Sequence, residues 1–280
     1  MPFDITKAHG IRSPAAKRFK PATIKDMESE VTKAVFGAPP DRVKSSFSWE
    51  CGFWMSIDVE TNKLAPNSEQ YWEIGDFGHK RRVVDSTKVG SLRIVQLGCA
   101  IGKFDPADQP VVKSVHVKPD GFEIATSATK IHKITTEFAA ENGVTIRAAL
   151  DEFLHDLKAI IANNGRICAH NLEFDAKIIY EEMKRANFNV DDIDFFTCAV
   201  QNGFCTFNPT LTRWCCEEYL RSISRFSEDD GLLAPVGLKE LVRVLDVETQ
   251  MSIGQFHDAG VDSRATWLVL RELRRLVRGA

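Results

Sequence analysis

The stretch Gly52-Phe-Trp-Met-Ser-Ile-Asp58 is apolar along most of its length and turns acidic at its end. A short, nearly continuous apolar run fits a strand buried on both faces, which the middle of a helix-covered sheet provides. Ser91–Ile101 alternates and reads as a second strand. Val111–Val117 reads as a third, and the three together as an antiparallel meander. Ile146, Leu150, Phe153, Leu154, Leu157, Ile160 and Ile161 then fall on one helical face. Gly165–Ala169 reads as a fourth strand, Asp175–Arg185 as a helix and Phe195–Val200 as a fifth strand. Helices are expected at Leu211–Ser222 and Gly237–Leu245. A last amphipathic helix is expected at Gly260–Arg278, with Ala265, Leu268, Val269, Leu273, Leu276 and Val277 inward. Strands followed by alternating helices and strands predict an α/β fold, a mixed sheet with helices on both sides.

Residues 1–50 hold Pro2, Pro14, Pro21, Pro39 and Pro40 and little periodicity beyond one short helix expected at Thr23–Phe36. They read as an N-terminal extension, partly ordered or disordered, ahead of a domain spanning 51–280. Between Glu60 and Leu92 lies a polar segment without a clear element, and 62–90 reads as an insertion. Loops that long in a compact domain are functional or mobile as a rule.

A net charge of −3 excludes a polycation. Nucleic acid could be met only by a local basic face, or by metal ions bridging carboxylates to phosphate. Seven cysteines, an odd number with no Cys-x-x-Cys pair, point to a reduced intracellular compartment, cytoplasmic or nuclear. No run approaches the roughly 18 apolar residues of a membrane span, so no membrane partner is expected. Residues 5–25 carry Lys7, Arg12, Lys17, Arg18, Lys20 and Lys25 and no acid. They read as a flexible basic tail or as an organelle-targeting or nuclear-import segment.

The chemistry lies in the acids. Side chains alternate along a strand, so Asp58 and Glu60 point to one face where the strand leaves the sheet. Clustered carboxylates raise one another's pKa values and are unfavourable without cations. Mg²⁺ or Mn²⁺ relieves the conflict, held by a few carboxylates with water and substrate phosphate. Two such ions about 3.5–4 Å apart can activate water and stabilise a leaving oxygen. Asp-x-Glu alone is a weak signal, since it recurs at Asp26-Met-Glu28 and Asp246-Val-Glu248. Only Asp58 follows an apolar strand; Asp246 follows a helix and should be solvated. His-x-x-x-x-Asp also occurs twice, at His170/Asp175 and His257/Asp262. Order and setting carry the argument.

In that order, Ile57-Asp-Val-Glu-Thr61, Ile94-Val-Gln-Leu-Gly98, His132-Lys-Ile-Thr135, Ala169-His-Asn-Leu-Glu-Phe-Asp175 and His257-Asp-Ala-Gly-Val-Asp262 resemble the DEDDh (DnaQ-like, proofreading-type) 3′→5′ exonucleases. The resemblance spans about residues 51–278 and implies a ribonuclease H-like fold. It implies two divalent ions, Mg²⁺ or Mn²⁺, held by Asp58, Glu60, Asp175 and Asp262, with Asp58 bridging both. His257 would be the general base, its ordinary pKa of about 6.5 suiting neutral pH. Thr61 would hold the terminal nucleotide of a single-stranded RNA or DNA 3′ end, and nucleoside 5′-monophosphates would be released. His132 and Asn171 would support the substrate edge. Asn62-Lys63 departs from the usual Thr-Gly after Asp-x-Glu-Thr, and His132-Lys133 from the usual His-Gly.

Segment 62–98 is also similar to the poly(A)-shortening nucleases, which tips the expected substrate slightly toward RNA. The other function classes kept open are a deadenylase-like nuclease and a non-catalytic binding module on the same fold. A protein partner could engage 1–50 or 62–90, and the oligomeric state is not determined by the sequence. Arg271, Arg274, Arg275 and Arg278 read as a solvated basic side of the last helix, and Trp214 and Tyr219 as core.

Overall fold

A computed structural model of the chain describes residues 52–65, 72–74, 80–82, 89–104, 109–207, 236–247 and 256–278. The helices expected at Thr23–Phe36 and Leu211–Ser222, with Trp214 and Tyr219, lie outside the described residues, as does the side chain of Arg278.

Five strands form the main sheet: β1 (Trp54–Thr61), β4 (Ile94–Gly102), β5 (Val111–His116), β6 (Arg166–Ala169) and β7 (Phe204–Cys205), in the order β5-β4-β1-β6-β7. β1 runs antiparallel to β4, β4 antiparallel to β5, and β6 lies parallel to both β1 and β7. The antiparallel meander and the mixed sheet expected from sequence are both present. β1 is the middle strand, and Trp54, Met55, Ser56 and Ile57 are buried, as an apolar run covered on both faces requires.

Helices cover the two faces. On one, α3 (Ile146–Ala162), α4 (Leu172–Arg185) and α5 (Val190–Gln201) pack on Met55, Ile57, Leu97, Cys99 and Ile167. On the other, α6 (Leu238–Val244) and the 20-residue α7 (Ala259–Arg278) pack on Trp54, Ala100 and Cys168. Apolar side chains buried this way contribute about 1.5–3 kcal/mol each. On α7, Ala265, Leu268, Val269, Leu273 and Leu276 are buried as expected, joined by Trp267 and Leu270; Val277 is half-buried. Cys99, Cys168 and Cys205 are buried strand residues.

Three expectations need correction. Phe195–Val200 is helix, not strand: Asn189 caps α5 by accepting from the Asp192 amide, and Phe196, Ala199 and Val200 are buried at helical spacing. The fifth strand is the two-residue β7 just after it. Residues 62–90, read as lacking elements, contain a second sheet of β2 (Trp72–Ile74) and β3 (Lys80–Arg82), paired antiparallel. Two helices were also missed, α1 (Thr126–His132) and α2 (Thr136–Asn142), each seven residues long. No described helix is long and apolar enough to cross a membrane.

Candidate active site

Alternation along β1 decides which way the acids face. Met55, Ile57 and Val59 enter the core under α3 and α4, while Trp54 packs with α7 and the Ser56 hydroxyl donates to the Ser263 carbonyl of α7 at 2.5 Å. Asp58 and Glu60 share the parity of Trp54 and Ser56 and so face the start of α7. Their antiparallel partners are Gly98 and Gln96. Pairing with β6 ends at Ile57 opposite Ala169, so beyond that point one edge of β1 is free. The first turn of α4 takes the place of the missing strand: the Val59 amide donates to Asp175 Oδ1 at 3.1 Å. Asp175 stands in the first turn of α4, where the helix dipole favours a carboxylate.

The other side of the site is built by the entry to α7. Asp258 Oδ1 accepts from the amides of Gly260 and Val261 at 3.0 and 3.1 Å, a two-bond cap. His257 precedes it with φ 73°, and its amide donates to Asp262 Oδ2 at 3.0 Å. Asp262 Oδ1 is buried and has no hydrogen-bond partner. A Cβ on Gly98 would lie 2.1 Å from the Ala259 carbonyl carbon and oxygen, so only glycine lets the helix start come this close to β4.

Ligand atoms of Glu60, His257 and Asp262 all lie within 4.8 Å of one another. Burial pushes the Asp58 carboxyl well above its ordinary range, and the charges of Asp175, Asp262, Glu60 and Asp258 push it further. Burial likewise raises Asp175 well above its range and lifts Glu60 to about 8 and Asp262 to about 7. The His257 ring is open to solvent, yet partial burial lowers its pKa and the Lys239 ammonium adds to the effect. Five carboxylates thus converge at the end of β1, and four of them, Asp58, Glu60, Asp175 and Asp262, hold a proton harder than an isolated acid. Such a set, with an unpaired buried oxygen on Asp262, fits a divalent cation.

A family model for exonucleases, RNase_T, matches residues 55–270, which contain all the acids just described. The chain belongs to this exonuclease family. Among solved structures, the chain resembles E. coli exonuclease I in a zinc-bound complex with single-stranded DNA, with a TM-score of 0.51 and 16% identity, covering 81% of this chain and 42% of that one. Exonuclease I of Methylocaldum szegediense gives 0.51 and 19%, covering 80% of this chain and 40% of that one. A product-bound exonuclease I gives 0.53 and 17%, covering 82% and 46%. These likenesses establish the ribonuclease H-like fold, and the chain spans less than half the length of each of these neighbours. No curated protein matches it in sequence.

The substrate-edge candidates sit beside the acids in different ways. Both ring nitrogens of His132 are engaged: Nδ1 accepts from the Ile134 amide at 3.0 Å, leaving the Nε2 hydrogen to donate to the Thr61 carbonyl at 3.2 Å. Burial lowers its pKa, so the neutral ring acts as a strut under Thr61. The Thr61 hydroxyl donates to the Lys63 carbonyl at 2.8 Å. Asn171 has φ 81° at the head of α4 and a buried, unpartnered Oδ1. His170 Nδ1 lies 3.0 Å from Thr206 Oγ1, its Nε2 is buried without a partner, and burial pushes its pKa down to about 3. Asn62, the departure from the usual pattern, is buried and bonded to the Arg93 amide, so it ties the end of β1 to the next strand. The last Asp-x-Glu begins elsewhere: Asp246 is exposed, as expected, with φ 46° after α6. Asp258 was not among the predicted site residues; an Asp just before Ala-Gly-Val at the head of an amphipathic helix is the capping signal that could have found it.

Proposed function

We propose that the chain is a metal-dependent 3′→5′ exonuclease that hydrolyses the terminal phosphodiester of single-stranded nucleic acid and releases nucleoside 5′-monophosphates. The observation that carries this reading is the convergence of Asp58, Glu60, Asp175 and Asp262 with His257 at the open end of one buried strand. Asp58, Glu60 and Asp262 would hold one divalent ion, Mg²⁺ or Mn²⁺, and Asp58 with Asp175 a second. When bound, such ions stabilise the charge that builds on the scissile phosphate and lower the pKa of attacking water.

The chain's own groups do the rest. His257, neutral near pH 7 because its pKa is lowered, takes the proton of the attacking water. Its ring is open to solvent while its amide stays fixed to Asp262. The Val59 amide orients Asp175. Thr61, propped by His132, and Asn171, with its free acceptor, hold the terminal sugar and base. The catalytic unit is 51–280, with 1–50 an extension and 62–90 an insertion.

RNA is favoured as substrate by the likeness of 62–98 to poly(A)-shortening nucleases, whereas strands bound in the exonuclease I neighbours are DNA. Linear and circular single strands of the same sequence, RNA and DNA, test the reading. Linear strands with a 3′-hydroxyl should yield 5′-mononucleotides and circles should remain intact. Cleavage of circles would mean an endonuclease, and no cleavage of any strand by folded protein would favour a binding module.

A further inference from the structure

Gln96 sits directly opposite Glu60 across the β1–β4 pair, on the face of the sheet that meets α7. Its side chain is 1% exposed, and each of its polar groups is engaged. Nε2 donates to Asp258 Oδ2 at 2.8 Å and to Ser114 Oγ at 2.9 Å, while Oε1 accepts from the Ala259 amide at 3.1 Å. Two of these three bonds go to residues 258 and 259, 162 and 163 positions away in the chain. They bind the segment immediately after His257.

Asp258 passes the constraint on. One carboxylate oxygen is held by Gln96 and the other caps the amides of Gly260 and Val261. His257 is the next residue back, and Asp262 lies one turn ahead, tied to the His257 amide. Gly98, on the next rung of the same face, removes the Cβ that would otherwise collide with Ala259. Gly98 therefore permits the approach of α7 and Gln96 fixes its register. A carboxamide of this length suits the place, because one planar group must offer a donor to a carboxylate and an acceptor to an amide N–H.

We propose that Gln96 is a positioning residue for phosphodiester hydrolysis. It clamps the head of α7 to β4, so that His257 and Asp262 meet Glu60 on the neighbouring strand. The proposal rests on the exonuclease reading and gives that site a group that sets its geometry without touching substrate.

A polarity swap tests it. Gln96→Glu replaces the donor facing Asp258 with an acceptor and sets two carboxylates against each other. Asp258→Asn, added to it, returns a donor across the gap while its side-chain oxygen still caps α7. Gln96→Glu should lower kcat about 10–100-fold, with KM for an oligonucleotide nearly unchanged. Asp258→Asn alone, which sets donor against donor, should also lose activity, and the double variant should recover most of what Gln96→Glu loses. Gln96→Met deletes the three bonds without adding charge. It should show a similar kcat loss, and it serves as the test if Gln96→Glu does not fold.

Amide exchange over residues 257–262 should quicken in Gln96→Met while protection of β1 and β4 stays as in the wild type. Full kcat in Gln96→Met with unchanged exchange overturns the proposal, as does a double variant no better than Gln96→Glu. A wild-type protein that cuts nothing sinks the exonuclease reading instead, and the exchange measurement then still decides whether Gln96 is the clamp.

Discussion

Asp262 has one oxygen tied to the His257 amide and the other buried with no partner, in a pocket it shares with four more acids. Without a cation this arrangement opposes folding. Glu60 and Asp262 have folded-state pKa values of about 8 and about 7, above their ordinary 4.5 and 3.8. The folded state therefore binds the extra protons, and the stability they contribute is full below about pH 4 and lost as pH rises through 7 to 8. Metal-free protein should accordingly melt lower at about pH 8 than at about pH 5.5, and Mg²⁺ should raise Tm more at the higher pH; an equal metal effect at both would contradict this. Asp262→Asn removes one charge from the cluster. In EDTA at about pH 8 this variant should melt at or above the wild type, and Mg²⁺ should barely stabilise it. His257→Ala should leave the melting profile alone and cut kcat about 10²–10⁴-fold, since it removes the proposed base and no core contact.

Between elements, the site depends on how closely α7 approaches β4. Gly98→Ala places a carbon where the Ala259 backbone already lies. It should cost about 1–3 kcal/mol in chemical denaturation, and kcat should fall further than that destabilisation alone would produce. A Gly98→Ala variant with wild-type activity would show that the head of α7 need not sit where it does.

At this scale, too, the sequence is legible in some places and silent in others. The parity of Asp58 and Glu60 follows from alternation alone, because β1 is a regular buried strand. Phe195–Val200 misleads because a short apolar run has no period of its own; the capping Asn189 and the acids Asp191 and Asp192 before it carry the helix signal. The Gln96–Asp258 bond joins residues 162 positions apart, and nothing local in either segment announces it. α1 and α2 are two turns each, too short for a clear apolar face.

Taken whole, the molecule brings its acids together by topology. β1 supplies two from the middle of the sheet, α4 supplies Asp175 where β6 stops, and α7 crosses from the opposite face to deliver Asp258 and Asp262. The central strand, the meander and the order of the acidic motifs were all readable from sequence, because burial on both faces leaves so distinct a pattern. The β2–β3 pair was not, since strands of three residues lie below the length at which alternation can be recognised. Because the proposed ligands come from separate elements, ion binding should stabilise the fold as a unit. Saturating Mg²⁺ at roughly 100 times its Kd should add about 2.7 kcal/mol to unfolding, measurable by denaturation with and without EDTA.

Metal-dependent 3′→5′ hydrolysis is tested first by a single-turnover digestion of 5′-labelled single-stranded RNA and DNA of matched sequence. Mg²⁺, Mn²⁺ and EDTA would be compared, with His257→Ala as control. A ladder should shorten from the 3′ end with either metal, be lost in EDTA and form more slowly in the variant. Undiminished shortening in EDTA, or a His257→Ala variant as fast as the wild type, would contradict this chemistry.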